Sequence, residues 1–537
     1  MIRKLLVANR GEIALRVFRA CRELGISTVA VVAPDDKRAL HARCADETVD
    51  VASYLFSEEH IRAAKRTGAD AIHPGYGFLA ENPDFAEAVQ AAELTWVGPP
   101  PDALRAGGDK LEAKRIAAAA GVPVVPTGTA EELGFPLVVK AAAGGGGRGM
   151  RVVRAPGELA DALDAARREA KAAFGDERVF CERYLERPRH VEIQLLADGN
   201  GDVLALGERE CSIQRRHQKV LEEAPSSAID EALRTAIGDA AVAFARAIGY
   251  VNAGTVEFIV DGRDFWFLEL NGRIQVEHPV TELVTGVDLV QAQLRVASEE
   301  PLDLRPDPRG HAVEVRLYAE DPRTFFPQAG RIDRLRLPER IRVDAGVEEG
   351  DDVGLAYDPM IAKLIAHGAT RAEALRRLAD ALDDTEVEGV TTNLAFLRWL
   401  VTHPSLRAGD TTTAFLVEHP PLTPHPAWAA DTLWRSPFRL NLPSPALAEP
   451  PDVDSLATDH RGPAGEQSAV TAPMPGTVIR LLVAAGDSVR ARQPLVVLEA
   501  MKMETPLTSP YDATVRAVHV AEGDRVAGGA VLVELEE

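Results

Sequence analysis

The sequence predicts an α/β protein of several domains that ends in a small all-β unit, and three observations predict it. The chain opens with a strand, helix, strand run, KLLVANRGEIALRVFRACRELGISTVAVV. Strand-like and helix-like patterns then alternate to about residue 300 and resume to about residue 420. Residues 469–537 carry an internal repeat of strand-like segments. With 537 residues the chain exceeds one compact core, and about three to four domains fit its length.

The opening run is a βαβ unit, which implies a parallel sheet because the crossover returns the second strand in the direction of the first. Its turn, ANRGE, lacks the glycine spacing of a dinucleotide fingerprint, so Asp35 and Asp36 read as turn residues rather than ribose ligands. ADAIHPGYGFLAEN continues the pattern with a Gly- and Pro-rich loop after a short strand, where α/β proteins commonly place function. From about 107 a helix, GGDKLEAKRIAAAAG, leads to a strand, FPLVVKA, and on to AAAGGGGRGMRVV. HAVEVRLYAEDP to TAFLVEHP forms a further α/β portion. Residues 419–470 are rich in Pro and Ala and mostly polar from 449, the composition of a mobile linker.

In the last unit, PGTVIRLLVAAGDSVRARQPLVVLE superimposes on DATVRAVHVAEGDRVAGGAVLVELE at an offset of 37, with Gly486 on Gly523 and Asp487 on Asp524. Neither half could bury its apolar face alone, so the two are expected to close as a flattened sandwich with pseudo-two-fold symmetry. Lys502, in LEAMKMETP, falls at the joint between the halves, which predicts an exposed lysine at a protruding turn.

Composition excludes some partners. A net charge of −22 repels nucleic acid and anionic membrane surfaces at long range. No run of eighteen apolar residues occurs, and the start has too short an apolar run for a signal peptide, so a soluble, cytoplasmic protein is expected. Cys21, Cys44, Cys181 and Cys211 are scattered without C-x-x-C spacing and read as reduced thiols.

Three stretches carry chemistry. The chain has ten lysines against fifty arginines, and Lys502 is its only lysine after Lys363. An amine that can be acylated is what arginine cannot supply, so Lys502 between Met501 and Met503 reads as a modified lysine rather than a surface charge. The glycine run 144–149 joins two strand-like segments, VVK and MRVV, as a hairpin flap. Glycine lets backbone N–H groups crowd phosphate oxygens, with Lys140 and Arg148 alongside; without G-K-[ST] it is not a Walker loop. In TVEFIVDGRDFWFLELNGRIQVEHPVTE, Glu269, Asn271, Arg273, Gln275 and Glu277 alternate with apolar residues and would share one face of an extended strand. Glu257 joins that face only when it pairs opposite Glu269, through a three-residue loop; Glu257, Glu269 and Asn271 then offer hard oxygen ligands for Mg²⁺.

Together with ANRGEIA, HPGYGFLAEN, KAAAGGGGRGMRVV, ERYLERPRHVE, CSIQRRHQKVLEEAP and AVEVRLYAEDP, these motifs make residues 1 to about 420 resemble biotin carboxylase, and EAMKME resembles the biotinyl domain of biotin-dependent carboxylases. The resemblance implies an N-terminal βαβ (pre-ATP-grasp) domain at 1–108 and an ATP-grasp domain at 109–307, with the flap subdomain at about 122–190. It further implies a C-terminal α+β domain at 308–420, a linker at 421–468 and a biotinyl domain at 469–537. ATP would be held by Lys110, Lys140, Gly146, Gly147, Glu182, Arg183, Tyr184, Leu185, His190, Gln214 and His217, and two Mg²⁺ or Mn²⁺ ions by Glu257, Glu269 and Asn271. Lys219, Arg273, Gln275 and the backbone of Val276 would hold bicarbonate, Glu277 would be its base, and Arg316 would stabilise the enolate of the biotin ureido group. Biotin on Lys502 would be carboxylated at the expense of ATP, giving carboxybiotin for a separate carboxyltransferase (beta) subunit to pass to an acyl-CoA such as acetyl-CoA or propionyl-CoA. Biotin protein ligase and a second copy of the carboxylase part would be the further partners.

Three departures from the family pattern stand out. TGTAEELG is a short connection into the flap, Gly272 stands where relatives carry Thr, Pro or Ala, and 421–470 has room for only a remnant of the domain that longer relatives place there. Two rival readings are another ATP-grasp ligase, which would not need a carrier domain, and a carrier with an inactive ligase scaffold, which predicts losses among the metal and phosphate residues.

Overall fold

The structure is a computed structural model that describes residues 1–142, 150–215, 218–423, 469–472, 476–491, 493–500, 503–526 and 530–536. The linker reading falls almost wholly on 424–468, outside the described residues. The chain forms two compact units, Met1–Trp428 and Ala429–Glu537.

The first unit begins with a five-stranded, wholly parallel sheet in the order Glu47–Asp50, Ser27–Val32, Lys4–Val7, Ala71–His73, Thr95–Trp96. Its strands are nearly continuous apolar runs because both faces are covered. Helix Gly11–Glu23 lays Ile13, Ala14, Val17, Phe18 and Cys21 on one side and stops before Gly25, which takes φ +72°. Strand order reverses between Lys4–Val7 and Ala71–His73, so the loops after these two strands flank a crevice of the kind where open α/β sheets bind ligands. Asn9 locks them together, donating from Nδ2 to the carbonyls of Pro74 (2.8 Å) and Tyr76 (2.7 Å). The approach explains Gly75, since a Cβ there would lie 2.8 Å from Asn9 Nδ2.

Strands Leu137–Ala141 and Arg151–Val153 are antiparallel neighbours, and Val179–Arg183 completes a three-stranded sheet backed by helix Leu159–Phe174. The glycine run between the first two lies outside the described residues. The short connection before them is a single helical turn, Ala130–Leu133, closed by a capping box between Thr129 and Glu132.

The largest element is an eight-stranded antiparallel sheet, ordered Asp264–Asn271, Asn252–Asp261, Arg189–Ala197, Val203–Arg215, Gln218–Ala224, His311–Tyr318, Met360–Gly368, Arg342–Ala345. The stretch after 308, which reads as a separate portion in the sequence, thus continues the same sheet. Helix Glu231–Ala247 covers one face with Leu233, Ile237 and Phe244 against Val191, Ile193, Val256 and Phe258. The other face carries the charge described below.

In the second unit two four-stranded sheets form, and each half lends its short strand to the other. Ser488–Val489 pairs with Ala513–Val518, and Arg525–Val526 with Gly476–Leu481. The repeat is reproduced bond for bond: Gly486 N–H donates to Val515 O (2.8 Å) as Gly523 N–H does to Val478 O (2.7 Å). Both glycines have φ near +93°, a conformation open to glycine and strained for other residues. Strands Pro494–Ala500 and Met503–Thr508 pair up to Ala500 opposite Met503; Met501 and Lys502 between them, and so the predicted turn, lie outside the described residues.

Candidate active site

Antiparallel pairing places directly opposed side chains on one face. Glu269 stands opposite Glu257, Glu257 opposite Glu192, and Glu192 opposite Arg209, so four charged residues cross four strands in one row. The register that unites Glu257 with Glu269 arises differently from the expectation. The loop has two residues, Gly262 and Arg263, and a β-bulge at Leu268 supplies the extra residue. A second correction concerns the alternating stretch: the strand ends at Asn271, and Gly272–Glu277 is a loop leading into helix His278–Thr285. Arg273, Gln275 and Glu277 therefore reach the site from irregular backbone, not from one strand face. Gly272 has a packing reason, since a Cβ there would meet Leu104 Cδ2 at 2.6 Å.

Lys219 is the hub. Its ammonium donates to Glu192 (2.5 Å), Glu277 (2.6 Å), Glu257 (2.9 Å) and Gln275 Oε1 (3.3 Å). Burial alone would lower its pKa, but the three glutamates outweigh burial and hold it well above the usual lysine range. Glu277 lies between Lys219 and Arg316, whose Nη2 is 3.1 Å away. Burial opposes its charge, yet Lys219, Arg316 and Arg209 keep its carboxyl well below the ordinary range, so it is ionised at neutral pH. Arg316 in turn donates from Nε to Glu222 at 2.7 Å. Burial pushes the Glu222 carboxyl up to about 7 against the pull of Arg316.

The remaining expected residues divide into three groups. His190 Nδ1 meets Gln214 Nε2 at 2.6 Å, leaving its Nε2 to face Glu257 at 2.9 Å. Asn271 donates to Glu257 (2.8 Å) and accepts from Arg273 Nη2 (3.0 Å), while Glu81 in HPGYGFLAEN accepts from Arg273 Nε at 3.1 Å. Lys110 lies 3.6 Å from Glu269, Lys140 is paired with Glu182, and the strand carrying Glu182 leads on to Arg183, Tyr184 and Leu185. The backbone N–H of Arg183 and Tyr184 is tied to Pro126 and Pro136. Gly146, Gly147, His217 and Lys502 lie outside the described residues.

Sequence reasoning missed several members. Lys114, one turn after Lys110 on helix Lys110–Ala119, shares Glu182 with Lys140. Glu192 and Arg209 are fully buried and bonded at 2.6 Å, with Arg209 also reaching Gln194, Thr255 and Thr281. The available signal was alternation in RHVEIQLLA, which puts Glu192 and Gln194 on one face.

The residues present suit a divalent cation. Glu257 and Glu269 stand opposite each other beside Lys219 and Lys110, and their carboxylate oxygens are hard donors of the kind a divalent cation takes. Among the described residues, ligand atoms of His190, Glu192 and Glu257 lie within 4.8 Å of one another. Lys110, Lys114, Lys140 and Lys219 stand interleaved with the carboxylates of Glu182, Glu192, Glu257, Glu269 and Glu277, a set of groups suited to a polyphosphate bridged by metal.

Residues 1–104 match the family described as biotin carboxylase, N-terminal domain; 109–305 match carbamoyl-phosphate synthase L chain, ATP binding domain; 314–418 match biotin carboxylase C-terminal domain; and 468–535 match biotin-requiring enzyme. The chain is 42% identical to the biotin-dependent acyl-coenzyme A carboxylase alpha3 subunit of Mycobacterium leprae over 602 residues, covering 100% of this chain and 99% of the relative. The chain belongs to the biotin carboxylase family.

This biotin carboxylase is also 47% identical to the propionyl-CoA carboxylase alpha chain of Ruegeria pomeroyi, over 78% of this chain and 68% of that one. Among solved structures it is similar to the biotin carboxylase domain dimer of Hydrogenobacter thermophilus 2-oxoglutarate carboxylase, in complex with MgADP, ADP and bicarbonate. The TM-score is 0.77 and the identity 42%, covering 78% of this chain and 98% of that one. It is therefore an ATP-grasp ligase joined to a biotinyl carrier domain, using biotin, ATP and Mg²⁺. No helix among the described residues is long and apolar enough to cross a membrane.

Proposed function

We propose that this chain carboxylates biotin attached to Lys502 and serves as the alpha subunit of an acyl-CoA carboxylase. The observation that carries the reading is Glu277, an ionised, buried carboxylate between Lys219 and Arg316. In this reading Lys219, Arg273, Gln275 and the Val276 backbone hold bicarbonate, and Glu277 takes its proton. The deprotonated oxygen attacks the γ-phosphorus of ATP, ADP leaves, and carboxyphosphate results. Lys110, Lys140, Gly146, Gly147, Glu182 to Leu185, His190, Gln214 and His217 hold the nucleotide; Glu257, Glu269 and Asn271 hold the metal that neutralises its phosphates. Catalysis is then positioning plus charge stabilisation around the transferring group. Carboxyphosphate breaks down to CO₂ and phosphate, and the phosphate takes the ureido proton; biotin, when attached, would supply the ureido nitrogen that accepts the CO₂, and Arg316 would stabilise negative charge on the ureido oxygen. Roles for the two ends of the molecule follow the expected boundaries, with the catalytic part within 1–420, the linker at 421–468 and the carrier at 469–537. A tether keeps the attached group at high local concentration near the site.

The partners in this reading are a carboxyltransferase subunit, a biotin protein ligase and a second copy of the carboxylase part, in the cytoplasm. The relatives named for propionyl-CoA and acyl-coenzyme A carboxylases support an acyl-CoA acceptor, with propionyl-CoA first; acetyl-CoA is the other acceptor to assay. The test is peptide mass spectrometry after co-expression with a biotin ligase, together with assays of ATP cleavage. Biotin on Lys502 and cleavage dependent on bicarbonate are expected; an unmodified Lys502, or cleavage indifferent to bicarbonate, overturns the reading.

A further inference from the structure

Lys363, on strand Met360–Gly368, is charged, has no exposure, and takes no part in the steps above. Its ammonium donates to the carbonyl of Val276 at 2.9 Å and lies 3.2 Å from Glu12 Oε1 and 3.9 Å from Asp344 Oδ2. A buried ammonium is costly unless acceptors and opposite charge replace its water; here one carbonyl and two carboxylates, the farther of them an ion-pair contact only, come from separate elements. Glu12 sits in the first turn of helix Gly11–Glu23, Asp344 on strand Arg342–Ala345, and Val276 in the loop that carries Gln275 and Glu277. Tyr76, from the loop after the fourth parallel strand in chain order, donates its hydroxyl to Glu12.

The carbonyl one residue earlier, Gln275, is also fixed. It accepts from the backbone N–H of His278 (3.3 Å) and from ring Nδ1 of the same residue (2.8 Å). Two successive carbonyls of the loop are thus held from behind. In a trans peptide the N–H points opposite to the C=O. Fixing the carbonyls of Gln275 and Val276 therefore fixes the N–H groups of Val276 and Glu277, aimed away from His278 and Lys363.

We propose that Lys363, held by Glu12, is a positioning residue for the anion-holding loop, setting the direction of the Val276 and Glu277 N–H groups and, through them, the placement of the Glu277 carboxylate. The inference rests on the reading of this loop as the bicarbonate site. Residue choice supports it: an ammonium donates tetrahedrally to acceptors in three directions, whereas the guanidinium this chain otherwise prefers donates within one plane. Lys363→Arg is accordingly not a conservative change here.

The experiment compares the full-length biotinylated chain with Lys363→Met and Glu12→Gln, measuring bicarbonate and ATP constants in the same ATP-cleavage assay and MgADP affinity by calorimetry. In Lys363→Met the KM for bicarbonate should rise about tenfold or more, with the KM for ATP and the Kd for MgADP held within about twofold, a split that general loss of structure does not produce. Because Lys363→Met removes the cation beside Glu12, Glu12→Gln decides the matter if the first variant does not fold. It keeps Lys363 and the side-chain volume and should show the same split at about threefold. Folded variants in which both constants rise together, or neither moves, overturn the inference. Wild-type protein whose ATP cleavage ignores bicarbonate overturns the site reading itself, and this inference with it.

Discussion

The catalytic unit buries charge wherever its chemistry is done, and the carrier unit, among its described residues, buries none. Glu192, Arg209, Glu277 and Lys363 are all enclosed, whereas the described interior of the carrier is apolar apart from Ser509. Buried ion pairs seldom stabilise a fold relative to well-packed hydrocarbon, so their concentration in one unit marks function rather than stability. The carrier needs only to be a stable handle for a group attached to it. The difference shows that burial of charge, more than size or secondary structure, separates a unit that does chemistry from one that transports it.

The strongest way to break this division is to replace one group proposed to be essential in each unit. Lys502→Arg should abolish carboxyl transfer while leaving cleavage of ATP driven by free biotin intact, and Arg316→Ala should reduce both by about 10²–10³. A Lys502→Arg protein that still turned over without free biotin would erase the distinction. Acid should separate the units next. His41 and His73, buried in the catalytic unit, are held down to about 4 chiefly by burial. The unfolded chain takes protons near pH 6.5 while the native unit refuses them, so stability is lost as pH falls from about 6.5 to 4, on the order of 3 kcal/mol for each histidine. Calorimetric scans across that range should show the catalytic transition moving down well before the carrier transition. Leu498→Ala, in the apolar core of the carrier, should cost about 2–5 kcal/mol there and leave the free-biotin reaction unchanged. The smallest effect is expected at Arg154–Glu186, a pair more than half exposed on both sides; Glu186→Gln should leave the midpoint of a denaturant titration unmoved.

How much was legible in the sequence varied with the range of the determining interaction. The βαβ opening, the repeat and the flap hairpin depend on neighbouring residues, and pattern alone led to them. The bulge at Leu268 did not show, because a two-residue loop with a bulge and a three-residue loop without one bring the same glutamates together. Glu192 and Arg209 were hidden for a related reason. Alternation reveals that a strand has two faces, but which face meets the site depends on strands distant in the chain. A usable signal was present in the lysines. Five of the ten, Lys110, Lys114, Lys140, Lys219 and Lys363, stand at or directly behind the site in a chain that elsewhere meets most needs for a cation with arginine.

The exchange of short strands between the two halves of the carrier has a bearing on its ancestry. Since Ser488–Val489 completes the sheet of the other half and Arg525–Val526 returns the favour, a polypeptide of half the length could close the same sandwich by clasping an identical copy. The present domain has the form of such a homodimer fused end to end, with the segment holding Met501 and Lys502 lying next to the seam.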